Sequence, residues 1–268
     1  MTTLLTVLLG CYLLGGLLPL CTSRPHLQNI LAHSAAALAG GAGIALGLLG
    51  LVASQPLTIS VPSNIPYLTF ALRLDPLAAF FVLTISLVGM AASIYAYGYV
   101  REFTGRVSIG LLGSLLNGFL LSMTLVVLAD NGFFFLIVWE VMSLLSYVLV
   151  VTEHERPGVR EAGLFYLIMT HAGTAFIILT FLLFSQETGS FSFEAFRHPD
   201  QRLPDGLRSI AFFTALIGFG AKAGIVPLHV WLPYAHPAAP SHISALMSGV
   251  MIKTAIYGLI RVYFDFLE

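Results

Sequence analysis

Apolar residues in this chain fall in long unbroken runs. Eight runs stand out, at approximately Thr2–Leu20, Leu27–Ala53, Asp75–Val100, Val107–Ala129, Gly132–Val151, Arg160–Ser185, Leu207–Leu232 and Ser241–Phe266. Each is long enough for a helix to cross a bilayer core of about 30 Å. None shows the period-two alternation of barrel strands. The pattern therefore predicts an all-α, polytopic helical membrane protein with about eight transmembrane helices. The second run is rich in glycine, and Gly43 and Gly47 form a GxxxG pair. That spacing predicts close approach of a neighbouring helix.

Two connections are longer than a turn. In residues 54–73, Leu57, Ile59 and Val61 alternate with Thr58 and Ser60 among three prolines. This predicts a short interfacial β-hairpin turning near Pro62-Ser63-Asn64. Residues 186–206 carry Glu187, Glu194, Arg197, Asp200, Arg202 and Asp205, which reads as a wet surface loop with one short helix at Phe193–Arg197. Asp75 and Asp130 stand where helices start and are expected to cap them.

Composition narrows the function classes. Apolar residues make up 57% of the 268 and charged residues 9%, against about 25% in a soluble domain. The chain cannot cover a water-facing surface, so a soluble enzyme is excluded. High hydrophobicity excludes disorder. The formal net charge of −1, with no basic stripe, excludes nucleic acid as a partner. Its solvent is a lipid bilayer. Cys11 and Cys21 lie about 15 Å apart along one helix, too far for a disulfide. No basic flank precedes the first run, which is therefore read as a retained helix rather than a cleaved signal. Loop arginines divide evenly between the two sides, Arg24, Arg101, Arg106, Arg156 and Arg160 against Arg73, Arg197, Arg202, Arg208 and Arg261, so orientation is close to a tie.

The basic residues are sorted by depth. All ten arginines lie in loops or near segment ends, whereas the two lysines, Lys222 and Lys253, fall deep inside runs seven and eight. Glu140 lies about eight residues into run five. Ionisable groups at such depth are costly and mark ion pathways. Arginine keeps its proton in any protein, whereas a desolvated lysine can release one. A carboxylate about 5 Å from an ammonium, at an effective dielectric near 20, contributes about 3 kcal/mol. Making and breaking a Glu140–Lys222 pair is thus a workable proton switch. A static pair that sets helix register is the competing reading, and it leaves Lys253 unexplained.

Run seven is interrupted by Gly218, Gly220, Gly224 and Pro227, with Pro233 following. Proline inside a helix removes a hydrogen bond and breaks or kinks it. Broken helices beside ionisable groups line ion routes in transporters. His171 lies within run six, and His229, His236 and His242 surround the break. His171, His229 and His236 are candidate proton carriers. His229, His236 and His242 lack a cysteine or carboxylate at ligand spacing, so no metal site is expected. The chain shows no nucleophile triad, phosphate loop or haem motif, and is expected to hold no cofactor and to carry out no bond chemistry alone.

The stretch FLIVWEVMS from Phe135 to Ser143, with KAGIVPLHVWLPYAHPAAPSH and SGVMIKTAIYGLIR between Lys222 and Arg261, resembles the antiporter-like membrane subunits of respiratory complexes. The hydrogenase-4 and formate hydrogenlyase members are resembled most, and the M-type subunit of proton-pumping NADH–quinone oxidoreductase and the Mrp antiporter subunits more distantly. The resemblance implies a proton relay through Glu140, Lys222 and Lys253, with the helix break at Gly224 and Pro227. It implies partners: further membrane subunits and a peripheral redox arm of a hydrogenase or complex I-like assembly in the cell inner (plasma) membrane. It divides the chain into an N-terminal three-helix region with the hairpin, 1–106, and a first five-helix repeat, 107–268. Family members carry a second, inverted repeat, so the sequence looks like the N-terminal portion of a longer protein. Without that second repeat it is not expected to conduct protons alone. An Mrp-type cation/proton antiporter subunit and a non-transporting hydrogenase anchor are the alternatives.

Lys222→Arg keeps the charge but cannot deprotonate. In the assembled complex it should impair proton translocation nearly as much as Lys222→Met. Full translocation by the arginine variant would assign the lysine a purely electrostatic role.

Overall fold

The computed structural model describes residues 1–198 and 203–267. Asp200, Arg202 and Glu268 lie outside the described residues. The chain forms α1 (Thr2–Leu17), α2 (Pro25–Val52), strands β1 (Leu57–Pro62) and β2 (Thr69–Leu74), α3 (Pro76–Tyr99), α4 (Ile109–Leu128), α5 (Gly132–Val150) and α6 (Val159–Thr188). A short α7 (Phe193–Arg197) precedes α8 (Asp205–Ala223), α9 (Leu232–Ala238), α10 (Ser241–Leu246) and α11 (Ile252–Ile260). By length and composition, eight helical spans among the described residues suffice to cross a membrane; the seventh joins α8 to α9 over Asp205–Ala238, and the eighth runs from Ser241 to Phe266. Exposed leucine, isoleucine and phenylalanine, such as Leu38, Ile94, Ile168 and Phe213, cover the outside.

Local sequence explains where the helices start. Pro25 and Pro76 occupy first-turn positions, where a missing N–H costs nothing. Asp75 caps α3 by accepting from the Ala78 amide at 2.9 Å, as expected. Asp130 does not cap α5. Its neighbour Asn131 does, accepting from the Phe134 amide at 2.9 Å, and Asp130 is turned to Arg197 instead. An uncharged amide serves the cap equally well and leaves the carboxylate free for a cation.

The glycines of α2 meet α3. Side-chain carbons added at Gly40, Gly43, Gly47 and Gly50 would strike Met90, Ser86, Leu83 and Ala79 in turn. One glycine stripe thus faces one row of α3, and the two backbones pack closely.

The hairpin pairs Leu57 with Leu74 through Pro62 with Thr69, as the alternation predicts. It docks on the turn between α4 and α5: the Asp130 amide donates to the Ala71 carbonyl, and the Asn131 side chain to that of Tyr67. The loop after α6 is not simply wet. Helix α7 forms at Phe193–Arg197, but Phe193 and Phe196 are buried against Phe181, Phe184 and Phe266. Apolar rings on an otherwise charged segment fold it back onto the bundle.

An ionic lattice ties these parts at one end of the bundle. Arg261 is 5% exposed and pairs with Asp75 and Asp265, each at 2.5 Å. Arg197 pairs with Asp130 at 2.8 Å and Asp265 at 3.6 Å, and Arg73 with Glu194 at 3.1 Å. The Tyr257 hydroxyl accepts from Arg261 and donates to the Val127 carbonyl. Burial alone would push the Asp75 carboxyl up, but the Arg261 hydrogen bond and charge hold it below the ordinary carboxylate range. At Asp130 burial prevails over Arg197, and the carboxyl is pushed up. Arg208 also donates to the Leu267 carbonyl.

Removing one partner of a buried pair leaves an uncompensated charge, which costs about 3–5 kcal/mol. Arg261→Ala should accordingly lower the thermal midpoint in detergent far more than Arg156→Ala, whose exposed pair with Glu153 contributes about 1 kcal/mol or less. Equal midpoints would show that the lattice adds nothing.

Candidate functional site

Span seven supplies the centre of the site. Helix α8 ends at Gly224, whose φ of 73° lies in the left-handed region that glycine adopts without strain. The chain then passes Pro227, makes one 3₁₀ turn over Leu228–Trp231 and resumes as α9. This is the break expected from Gly224 and Pro227. Two of the carbonyls it frees are reclaimed locally: the Ile225 amide donates to Gly220, and the Trp231 indole donates to Ala221 at 2.8 Å. Trp231 also rests on the Tyr166 ring, with centroids 4.9 Å apart.

Lys222 sits in the last turn before the break and is 1% exposed. Its amine donates to the Ser143 hydroxyl on α5 at 3.0 Å and to the Tyr166 hydroxyl on α6 at 2.7 Å. Tyr166 shares a 2.5 Å hydrogen bond with Ser146 and lies 3.5 Å from the Met251 sulfur in span eight. One amine thus gathers side chains from four spans.

The expected Glu140–Lys222 ion pair is not formed. Glu140 instead faces His171 on α6, Oε2 to Nε2 at 3.1 Å, while its Oε1 is buried without a partner. The rotation of α5 about its axis turns Glu140 toward α6. Glu140 nevertheless lies one helical turn from Ser143, which the lysine grips. His171 Nδ1 lies 2.9 Å from the Leu167 carbonyl, so it must be the protonated nitrogen there. Nε2 then faces a carboxylate oxygen, and the contact is favourable only if a proton lies between them.

The other expected residues are more scattered. Lys253 is exposed, and its amine donates to the Ser248 carbonyl at 2.5 Å. That carbonyl belongs to a π turn over Met247–Met251 that separates α10 from α11. Such turns interrupt the helix ladder and recur at functional sites. His236 Nδ1 lies 3.2 Å from the Ser244 hydroxyl, and His229 Nδ1, beside the break, is buried without a partner. Sequence reasoning missed Tyr166, the serines and the π turn. Ser143 and Ser146, three and six residues beyond Glu140, were the available signal, since hydroxyls near an intramembrane acid are candidate partners for a facing base.

Residues 129–268 match the family model described as "NADH:quinone oxidoreductase/Mrp antiporter, TM". Hydrogenase-4 component B of Escherichia coli is 42% identical over 86% of this chain and 34% of its own length. Formate hydrogenlyase subunit 3 of the same organism is 28% identical over 75% of this chain and 31% of its own. The chain spans about one third of the length of these relatives. A chain in the Mrp complex from a Dietzia species superposes on 98% of this one, with a TM-score of 0.79 at 23% identity, covering 28% of that chain. A chain of the archaeal membrane-bound sulfane sulfur reductase superposes on 99%, also at 0.79, with 24% identity and 41% of that chain covered. At these identities both show a common fold. Both solved structures are of multi-subunit membrane complexes.

Tyr166→Phe leaves a buried amine with one acceptor fewer, which costs about 1–3 kcal/mol. Thermal unfolding should register that loss, and much less of it when Lys222→Met is already present. Strictly additive midpoints would show that the two groups do not interact.

Proposed function

Because the chain belongs to the NADH:quinone oxidoreductase/Mrp antiporter transmembrane family, we propose that it moves protons as a membrane subunit of a hydrogenase-4 or formate hydrogenlyase-type respiratory complex. Redox cofactors then belong to partner subunits, and the host membrane is the cell inner (plasma) membrane. Residues 107–268 form the transporting repeat, and 1–106 the region packed beside it.

The observation that carries this reading is the setting of Lys222. A sealed amine between hydroxyls, at a break in its own helix, has partners suited to either protonation state. Serine and tyrosine oxygens accept from an ammonium and donate to a free amine equally well. Glu140 holds a proton with His171 one turn away. When Lys222 is charged, a carboxylate within about 5 Å gains about 3 kcal/mol by turning toward it. Glu140 therefore exchanges partners between His171 and Lys222 as the protons move, and Lys253 passes the charge onward from the π turn of span eight. His229 and His236 line the broken helix as further carriers.

Glu140→Gln keeps shape and removes the exchange. In the assembled complex it should lower protons translocated per electron by about tenfold or more, with subunit content unchanged. Normal stoichiometry in an assembled Glu140→Gln complex would end this reading and favour a non-transporting anchor.

A further inference from the structure

A second set of buried polar atoms lies away from the Lys222 cluster. On α2, His26, Asn29 and His33 are spaced by three and four residues and share one face. Asn29 is 3% exposed and His33 2%. The Asn29 amide donates to the Tyr97 carbonyl at 2.9 Å, which leaves its Oδ1 buried with no donor. Both ring nitrogens of His33 are buried without a partner. So are both ring nitrogens of His242, 1% exposed at the head of span eight. The end of α3 touches both groups, through the Tyr97 carbonyl on one side and the Tyr99 ring, 5.6 Å from that of His242, on the other. Both groups thus border the same end of α3.

Packing does not account for this. Thr124 and Thr180 bond to the carbonyl four residues back, and where hydroxyls such as those of Tyr12, Ser86 and Ser114 are buried without a partner, one atom is left bare rather than both nitrogens of a ring. A neutral imidazole carries one donor and one acceptor, and leaving both dry costs several kcal/mol. Interiors answer such a deficit with ordered water where the space is polar and roomy enough. Space is present at both ends. A cavity of about 450 Å³ reaches Asn29, lined also by His26, Arg101 and Thr104. An open groove of about 370 Å³ lies against His242; Ser241 and Tyr95 border it, and Val88, Ala91, Ala92 and Ala245 make the rest of its wall apolar. Two imidazoles fall short of the four ligands of a structural zinc site.

The line continues. Ser244, in the same short helix as His242, meets His236 at 3.2 Å; its carbonyl accepts from the Ser248 hydroxyl at 2.9 Å, and the Ser248 carbonyl accepts from the Lys253 amine. The ionisable groups around it are His26 from α2, Tyr95, Tyr97 and Tyr99 from α3, Arg101 just beyond, and His236 from α9. Neither His33 nor His242 has a carboxylate within salt-bridge distance among the described residues.

We infer that this line is a second proton intake: a hydrated file of imidazoles running from the cavity at His26 through Asn29, His33 and His242 to His236. It delivers to Lys253 without passing Lys222. A proton reaching the bare nitrogen of His33 makes an imidazolium. The opposite nitrogen then releases its proton to the next water, and the ring regains neutrality. His242 repeats the step, so no charge accumulates. The delivery step rests on the transport reading above; the hydration of the file does not.

The test has two arms. The first is water-edited solid-state NMR on the unmodified full-length polypeptide in liposomes, with ¹⁵N-labelled histidine and tryptophan. Magnetisation from water should reach the ring nitrogens of His33 and His242 within about threefold of the rate at exposed His26. The dry reference is the Trp231 indole, sealed on the Ala221 carbonyl. Rates as slow as at Trp231 would overturn the inference. The second arm measures proton translocation by the assembled complex. His33→Gln and His242→Gln keep polarity but cannot shuttle a proton, and in the Lys222→Met background each should lower the remaining translocation by about tenfold. If Lys222→Met abolishes translocation while both glutamine variants pump normally, the second intake is wrong and the transport reading stands. If Lys222→Met pumps and either glutamine change added to it pumps no less, the second intake is wrong; normal pumping by Glu140→Gln ends the transport reading separately, and the water-transfer rates then decide whether the file is wet.

Discussion

A lysine amine in hydrocarbon must hand its donors to acceptors or give up its charge, and the arrangement around Lys222 follows from that constraint. The amine takes the hydroxyls of Ser143 and Tyr166, which sets the facing of spans five and six toward span seven. Tyr166 is held in turn by Ser146 and covered by Trp231, and Trp231 closes a carbonyl opened by the helix break. The break at Gly224 and the lysine are thus parts of one structure. Neutral oxygens are the partners that leave the amine free to change state, since a carboxylate in contact would favour the charged form alone.

The other end of the bundle solves the opposite problem. There the cations are arginines, permanently charged and matched to carboxylates: Arg261 to Asp75 and Asp265, Arg197 to Asp130. These pairs join the start of α3, the hairpin, the turn before α5, α7 and the end of span eight. Guanidinium stands where the charge must persist, and amine where it can be given up.

Backbone interruptions lie beside both lysines. The break in span seven follows Lys222 by two residues, and the first of two π turns in span eight, Met247–Met251, ends two residues before Lys253; the second, Arg261–Phe266, lies at the span's end. In lipid, unpaired backbone is tolerated only where protein or water supplies partners. Each interruption therefore brings polar backbone to the depth of an ionisable side chain, as the Ser248 carbonyl does for Lys253.

What the sequence by itself determined is what depends on neighbours in the chain. The spans follow from hydropathy, the hairpin from alternation between prolines, the α2–α3 contact from glycine spacing, and the break from Gly224 and Pro227. The mid-span depth of Glu140, Lys222 and Lys253 follows from counting residues at a fixed rise. Tertiary structure decided what depends on how each helix is turned about its axis. Glu140 and Lys222 lie at compatible depths, yet rotation gives the acid to His171 and the amine to two hydroxyls. Arg261 stands near a span end and reads as interfacial, yet packing buries it between two carboxylates. The phenylalanines of α7 pull a charged loop onto the bundle, and Asn131 takes the cap that Asp130 was expected to make. Depth is a one-dimensional property that the order of residues carries. Facing is set by the sum of contacts with helices far away in sequence, and no local pattern encodes it.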